Sequence, residues 1–226
     1  MLLRIPQILD ADDVAEIRRG LDTVDWVDGR ATAGDLAEGT KRNRQARYDH
    51  PETRRLGDLI LTRLERHPVF MSAALPHKVV PPLFNLYAEG SFYGPHMDGA
   101  IRPIEGTPHR VRTDLSATLF LSAAKDYDGG ELIFDDGSAT HRIKLDAGDM
   151  VLYSADTVHR VEPVTRGARL ASFFWVQSMV RDEGERGLLF KLDGTIQQLR
   201  RDGAAHDSVV ELMNLYHALL RRWADT

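Results

Sequence analysis

At 226 residues, with 42% apolar and 28% charged side chains, the chain has the composition of a globular protein with one well-buried core, which excludes a disordered or low-complexity polypeptide. Lys and Arg number 29 against 34 Asp and Glu, a formal charge of −5, so no global field favours nucleic acid or anionic lipid and neither is an expected partner. Cysteine is absent, which excludes disulfides, thiolate zinc sites, iron–sulfur clusters and a cysteine nucleophile, and leaves any metal to His, Asp, Glu or backbone oxygen.

The opening Met1-Leu2-Leu3-Arg4-Ile5-Pro6-Gln7 has no uninterrupted apolar run like that of a signal peptide. No stretch approaches the roughly 20 apolar residues that span a bilayer. A cytoplasmic location without membrane association is therefore expected. Asp10 is placed to cap a helix in which Val14, Ile17 and Leu21 share one face. Pro51 suits the first turn of a second helix that buries Leu56, Leu59, Ile60 and Leu64. Between them, Gly39-Thr40-Lys41-Arg42-Asn43-Arg44-Gln45 is polar and basic and reads as a solvated loop, although Lys41, Asn43 and Gln45 are also candidates for lining an active-site entrance.

From Val79 to Ser178 the periodicity shifts to short strands, expected at residues 83–87, 115–121, 131–135, 141–145, 150–153 and 169–176. Turn signals separate them: Asp128-Gly129-Gly130, Asp135-Asp136-Gly137 and Ala147-Gly148-Asp149. Many short strands at this spacing indicate a sandwich or double-sheet jelly roll rather than alternating α/β. The chain then returns to helix, where Ser208 with Glu211 makes a capping-box pattern ahead of Val209, Leu212, Met213, Tyr216, Leu219, Leu220 and Trp223. That stripe covers either the sandwich or a second copy of the chain. The division expected is a helical support region at 1–77, a jelly-roll core at 78–178 and a helical extension at 179–226.

His96-Met97-Asp98 is the strongest chemical signal. In extended backbone, residues i and i+2 point to one side, so an imidazole and a carboxylate reach the same ion. His159, just beyond the apolar strand at 150–153, is the candidate third ligand. Two histidines and one carboxylate leave coordination positions open, the arrangement of Fe(II) oxygenases, whereas structural zinc takes a closed fourfold shell. Arg169 lies ten residues after His159 and beyond the turn signal Arg166-Gly167, so it is expected to start a strand running back beside His159. A guanidinium there can hold one end of a dicarboxylate whose other end binds the metal. A cupin-like hydrolase or isomerase using another divalent ion, and a non-catalytic iron or 2-oxoglutarate sensor, are the competing readings.

The stretch Tyr87-Ala88-Glu89-Gly90-Ser91-Phe92-Tyr93-Gly94-Pro95-His96-Met97-Asp98 resembles the prolyl 4-hydroxylase group of Fe(II)/2-oxoglutarate dioxygenases, in which a Tyr, a Gly, an aromatic residue and a Pro lead into His-x-Asp. Gly129-Gly130-Glu131-Leu132 resembles that group's Gly-Gly-Glu turn, and residues 159–169 resemble its distal His and basic anchor. Collagen-type members usually carry Lys at the anchor. Arg169, together with Phe174-Trp175-Val176-Gln177-Ser178 and the tail Gly187-Leu188-Leu189-Phe190-Lys191-Leu192-Asp193, is closer to the bacterial PKHD-type hydroxylases. The resemblance implies a double-stranded β-helix fold, Fe(II) on His96, Asp98 and His159, and 2-oxoglutarate bound by Arg169 with Tyr87 and Thr118 in support. It also implies O₂ as oxidant, L-ascorbate as helper, a small-molecule or peptidyl substrate, and a link to iron homeostasis. The segment from Gly99 to Thr113, with Arg102, His109, Arg110 and Arg112, is a candidate lid for a carboxylate-bearing substrate. The C-terminal helix is the candidate surface for a homo-oligomer.

Overall fold

The structure, a computed structural model, describes residues 1–32, 40–104, 106–135, 137 and 139–226. Gly39 of the basic segment, Glu105 of the candidate lid and Asp136 of one predicted turn lie outside the described residues. The N-terminal part runs β1 (Leu2–Ile5), α1 (Ala11–Leu21), β2 (Trp26–Asp28), β3 (Lys41–Arg42), β4 (Arg44–Ala46), α2 (Pro51–Arg66) and α3 (Pro68–Ala74). Next come β5 (Pro76–Val79), β6 (Leu83–Tyr87), β7 (Phe92–His96), β8 (Ile101–Pro103), β9 (Arg110–Arg112), β10 (Leu115–Phe120) and β11 (Tyr127–Gly129). The chain continues through β12 (Leu132–Asp135), β13 (Thr140–Ile143), β14 (Met150–Ser154), β15 (His159–Val161), β16 (Val164–Gly167) and β17 (Arg169–Ser178). Helices α4 (Glu183–Arg201) and α5 (His206–Trp223) close it.

Two antiparallel sheets face each other. The larger has the order β1-β14-β10-β17-β6-β4-β2, with β5 pairing the far end of β17, and the smaller has the order β13-β12-β15-β7-β3. Apart from the β12–β13 hairpin, neighbours in both orders are non-sequential, which makes this the expected jelly roll. The central strands of the larger sheet are buried on both faces, so β10 is Leu-Ser-Ala-Thr-Leu-Phe with every residue buried, as is every residue of β14. Leu115, Ala117 and Leu119 face one way, against α1, α2 and α3, in a core with Val14, Ile17, Leu56, Ile60 and Phe70. Ser116, Thr118 and Phe120 face the other, into the space between the sheets.

Local chemistry accounts for the elements. Asp10 caps α1 by accepting from the Asp13 backbone N–H, with the reciprocal bond from Asp13 completing a capping box. Pro51 opens α2 as predicted. Gly129 and Gly130 have φ of 70° and 65°, and a Cβ on Gly129 would fall 2.0 Å from the Pro163 carbonyl oxygen, so the turn into the small β11–β16 ribbon requires glycine.

Three expectations need correction. The basic segment is no solvated loop: it forms β3 and β4, and Lys41, Asn43 and Gln45 are buried, because these strands extend both sheets beside the central cavity. The Ser208–Glu211 capping box does not form; the cap position falls three residues earlier, at Ala205, which makes no side-chain cap. Residues 99–113, read as a loop, contain the β8–β9 hairpin, pinned by the Thr113 N–H donating to Ala100 O at 3.0 Å and by fully buried Val111 packing on Trp175. The stripe on α5 packs within the chain, with Tyr216, Leu219, Leu220 and Trp223 against Leu75, Val180 and Leu189. No described helix is long and apolar enough to cross a membrane.

Candidate metal centre

Both candidate imidazoles come from the smaller sheet. His96 ends β7 and His159 starts β15, and the antiparallel register sets the two directly opposite each other. Their rings lie 4.2 Å apart between centroids. Asp98 follows His96 by two residues and is anchored by its backbone N–H to Ala155 O at 3.3 Å. One ligand atom from each of His96, Asp98 and His159 falls within 4.8 Å of the other two, and this is the metal-capable cluster found among the described residues.

The proton positions follow from partners that can only accept. His96 Nδ1 is 2.9 Å from Gly94 O and His159 Nδ1 is 2.9 Å from Thr157 O, so each Nδ1 carries the hydrogen and each Nε2 presents its lone pair to the site. That is the tautomer a divalent metal needs. Burial, reinforced by the neighbouring His159, pushes the His96 pKa down to about 4, which keeps its imidazole neutral. Ser116 Oγ donates to Asp98 Oδ2 at 2.6 Å, orienting the carboxylate. Tyr93 stacks on the His96 ring at 3.6 Å between centroids, and Tyr153 meets His159 edge-on with its hydroxyl 3.3 Å from Nε2. The donor set, its tautomers and its spacing fit an Fe(II) ion.

The opposite wall belongs to the larger sheet. Arg169 opens β17, where the register pairs it with Tyr87 of β6. It does not run back beside His159 as expected from its spacing, because β15 and β17 belong to different sheets; it faces the triad across the same cavity. This guanidinium is 1% exposed, between the rings of Tyr87 at 5.3 Å and Phe120 at 5.1 Å, and its Nε and Nη1 have no hydrogen-bond partner among the described residues. A buried cation with orphaned donors is costly alone, and an anion of matching shape relieves it. Burial pushes the Tyr87 phenol up to about 12 despite the nearby Arg169, so it stays neutral. Thr118, buried on β10, lines the same space.

The cavity, with about 600 Å³ of empty space including its mouth, collects all six predicted site residues, and Lys41, Gln45, Arg102 and Trp175 line it as well. Ser116 and Tyr153 were missed from sequence. The signal was available: both sit in strands whose neighbours face the helix-covered core, so alternation turns them toward the triad. Of the basic residues in 99–113, only Arg102 reaches the cavity; Arg112 pairs with Asp114 at 2.7 Å, and His109 and Arg110 are exposed.

A model of the 2OG-Fe(II) oxygenase superfamily matches residues 82–177, and one of the PKHD-type hydroxylase C-terminal domain matches residues 183–225. The chain is 53% identical over 225 residues to a PKHD-type hydroxylase of Pseudomonas paraeruginosa and 56% identical over 226 residues to one of Burkholderia cenocepacia, in each case covering 100% of both chains. Among solved structures, a Pseudomonas putida prolyl-4-hydroxylase superposes with a TM-score of 0.58 at 23% identity, covering 78% of this chain and 92% of its own. HygX from Streptomyces hygroscopicus, solved with nickel, 2-oxoglutarate and hygromycin B bound, superposes with a TM-score of 0.50 at 16% identity, covering 76% of this chain and 81% of its own. Likeness at that identity establishes the fold.

Proposed function

This chain belongs to the PKHD-type hydroxylases of the 2OG-Fe(II) oxygenase superfamily, and from that membership we propose that it hydroxylates an unactivated C–H bond of a small-molecule or peptidyl substrate, with iron on His96, Asp98 and His159 and 2-oxoglutarate on Arg169. It is a 2-oxoglutarate-dependent dioxygenase. The observation that carries the residue assignment is Arg169, whose unpaired guanidinium nitrogens share a cavity with the three ligand side chains. A hydrolase on the same triad would have no use for that buried cation.

When bound, Fe(II) and 2-oxoglutarate supply the oxidising chemistry, in which O₂ is consumed, 2-oxoglutarate leaves as succinate and CO₂, and the substrate carbon gains a hydroxyl group. The protein holds and orients. Gly94 and Thr157 carbonyls fix both imidazoles, Ser116 fixes the carboxylate, and Arg169 takes the distal carboxylate of 2-oxoglutarate in an apolar, water-poor wall made with Phe120 and neutral Tyr87. Thr118 and Tyr153 line the space between the two halves of the site. Residues 78–178 serve as the catalytic core, with 1–77 and 179–226 as its support. L-Ascorbate serves as the reductant that restores iron after uncoupled turnover, and the exposed Val210, Met213 and Leu215 of α5 are the surface for any self-association.

Anaerobic protein with Fe(II) and 2-oxoglutarate should give a weak visible charge-transfer band. Arg169→Ala should raise the 2-oxoglutarate concentration needed for half its intensity on the order of a hundredfold, the worth of a buried charge-assisted pair, while Arg169→Lys keeps part of the affinity. A fully metallated sample without the band would overturn the assignment.

A further inference from the structure

The substrate side of the cavity carries its own cation. Arg102, in the middle of β8, lays its guanidinium over the Trp175 ring at 4.1 Å. Its Nε is buried without a hydrogen-bond partner, and no described carboxylate lies within ion-pair distance of the group. The placement is rigid. Arg102 stands opposite Val111 in the β8–β9 register, and Val111 and Trp175 belong to one buried cluster, so hairpin, arginine and indole form one wall. Lys41, buried on β3, lies over the Tyr93 ring at 4.9 Å on the same cavity and is close enough to Arg102 for the two charges to repel.

Charge balance gives these groups a meaning that packing does not. A ferrous ion, ionised Asp98, the 2-oxoglutarate dianion and Arg169 together sum to zero. Arg102 is therefore surplus to the catalytic centre, held on an aromatic face with no ion-pair partner among the described carboxylates. Aromatic seating fixes a guanidinium while leaving its N–H fork open to a planar anion.

We propose that Arg102, seated on Trp175, is the specificity-determining residue of this enzyme and binds an anionic group, a carboxylate or its equivalent, on the molecule that is hydroxylated. The inference rests on the catalytic reading above in counting Arg102 as surplus and in calling the bound molecule a substrate, whereas the aromatic seating and the unpartnered Nε stand without it. An anion there adds the charge that the mouth lacks, and the rings of Trp175, Phe173 and Tyr93 supply apolar walls for the rest of the molecule.

The test uses the whole chain with Fe(II) and saturating 2-oxoglutarate under anaerobic conditions, so that Arg169 and the metal are engaged. Tryptophan fluorescence is titrated with 3-phenylpropionate and, separately, with 3-phenylpropionamide, which share a shape and differ in charge. The wild type should bind the acid at least tenfold more tightly than the amide, Arg102→Gln should erase that preference, and Arg102→Lys should restore part of it. Circular dichroism melting of each variant confirms that it is folded. Equal response to acid and amide, the absence of response to both included, or an acid preference that survives in Arg102→Gln would overturn the proposal. The charge-transfer band is recorded on the same wild-type sample. Its absence with the acid preference intact would remove the catalytic reading and leave the anion site standing.

Discussion

Ser116 shows how much a single hydroxyl carries here. Its 2.6 Å bond to Asp98 Oδ2 is made from a strand with every residue buried, and it fixes the carboxylate in one orientation toward the cavity. Ser116→Ala should weaken metal binding roughly tenfold to a hundredfold, the usual effect of losing a partner that orients a ligand, measured by competition against a chromophoric chelator. Lys41 gives a pH signature. Burial, then repulsion from Arg102, lowers its pKa from 10.5 to about 8. The unfolded chain therefore binds more protons than the folded one between those values, so the contribution to stability is present above pH 10.5 and is lost as pH falls through about 8. Relative to Lys41→Met, the wild type should gain roughly 3 kcal/mol between pH 8 and 10.5. Urea unfolding of both proteins at the two pH values checks it, and a pH-independent difference would refute it. That His96 and Asp98 reach one side together was legible in the sequence, because residues i and i+2 of extended backbone share a face, whereas the sheet that carries Arg169 was not, since spacing alone does not say which strand pairs with which. Lys41, Asn43 and Gln45 were read chiefly as a solvated loop, since nothing in a polar, basic run says that two sheets will close over it.

At the scale of elements, legibility followed the strength of local rules. β6 was placed to the residue, and β10, β14 and β17 to within two, because apolar runs between turn signals admit few alternatives. The short β8, β9, β15 and β16 were not, since three or four residues carry no periodicity and form only where a partner strand waits. The helices show the same contrast. α1 begins after Asp10, where side chain and backbone agree, whereas α5 begins after Ala205, which offers its first turn no side-chain acceptor. Tertiary packing of its inner face, and not a cap, sets that start. Ala205→Asp should then add about 1 kcal/mol to the stability of the α4–α5 pair, seen as slower amide hydrogen exchange in α5. An unchanged exchange rate would mean that the first turn is already satisfied by water at no cost.

The whole molecule depends on its C-terminal extension more than a separately matched family segment would suggest. α4 and α5 pack on each other and on the end of the core through Leu189, Val180 and Leu75, each nearly or fully buried. Arg186 of α4 is 2% exposed and donates Nη1 to the carbonyls of Val180 and Arg181 at 2.8 and 2.7 Å, tying the helix to the chain that leaves β17. β17 is the strand that starts at Arg169 and carries Trp175, so the extension is rooted in the element that forms one wall of the site. Two thermodynamic arrangements follow. If the extension were an independent unit, a cavity cut into its core would lower one transition and leave the site untouched. Continuous packing predicts cooperative unfolding instead. Leu189→Ala removes a fully buried side chain and should cost about 2–5 kcal/mol. The far-UV helical signal and the charge-transfer band of the Fe(II)–2-oxoglutarate complex should then be lost together, at one temperature several degrees below that of the wild type. If the helical signal falls first while the band persists to the wild-type temperature, the extension is a separate folding unit and its burial against the core is incidental to the catalytic wall.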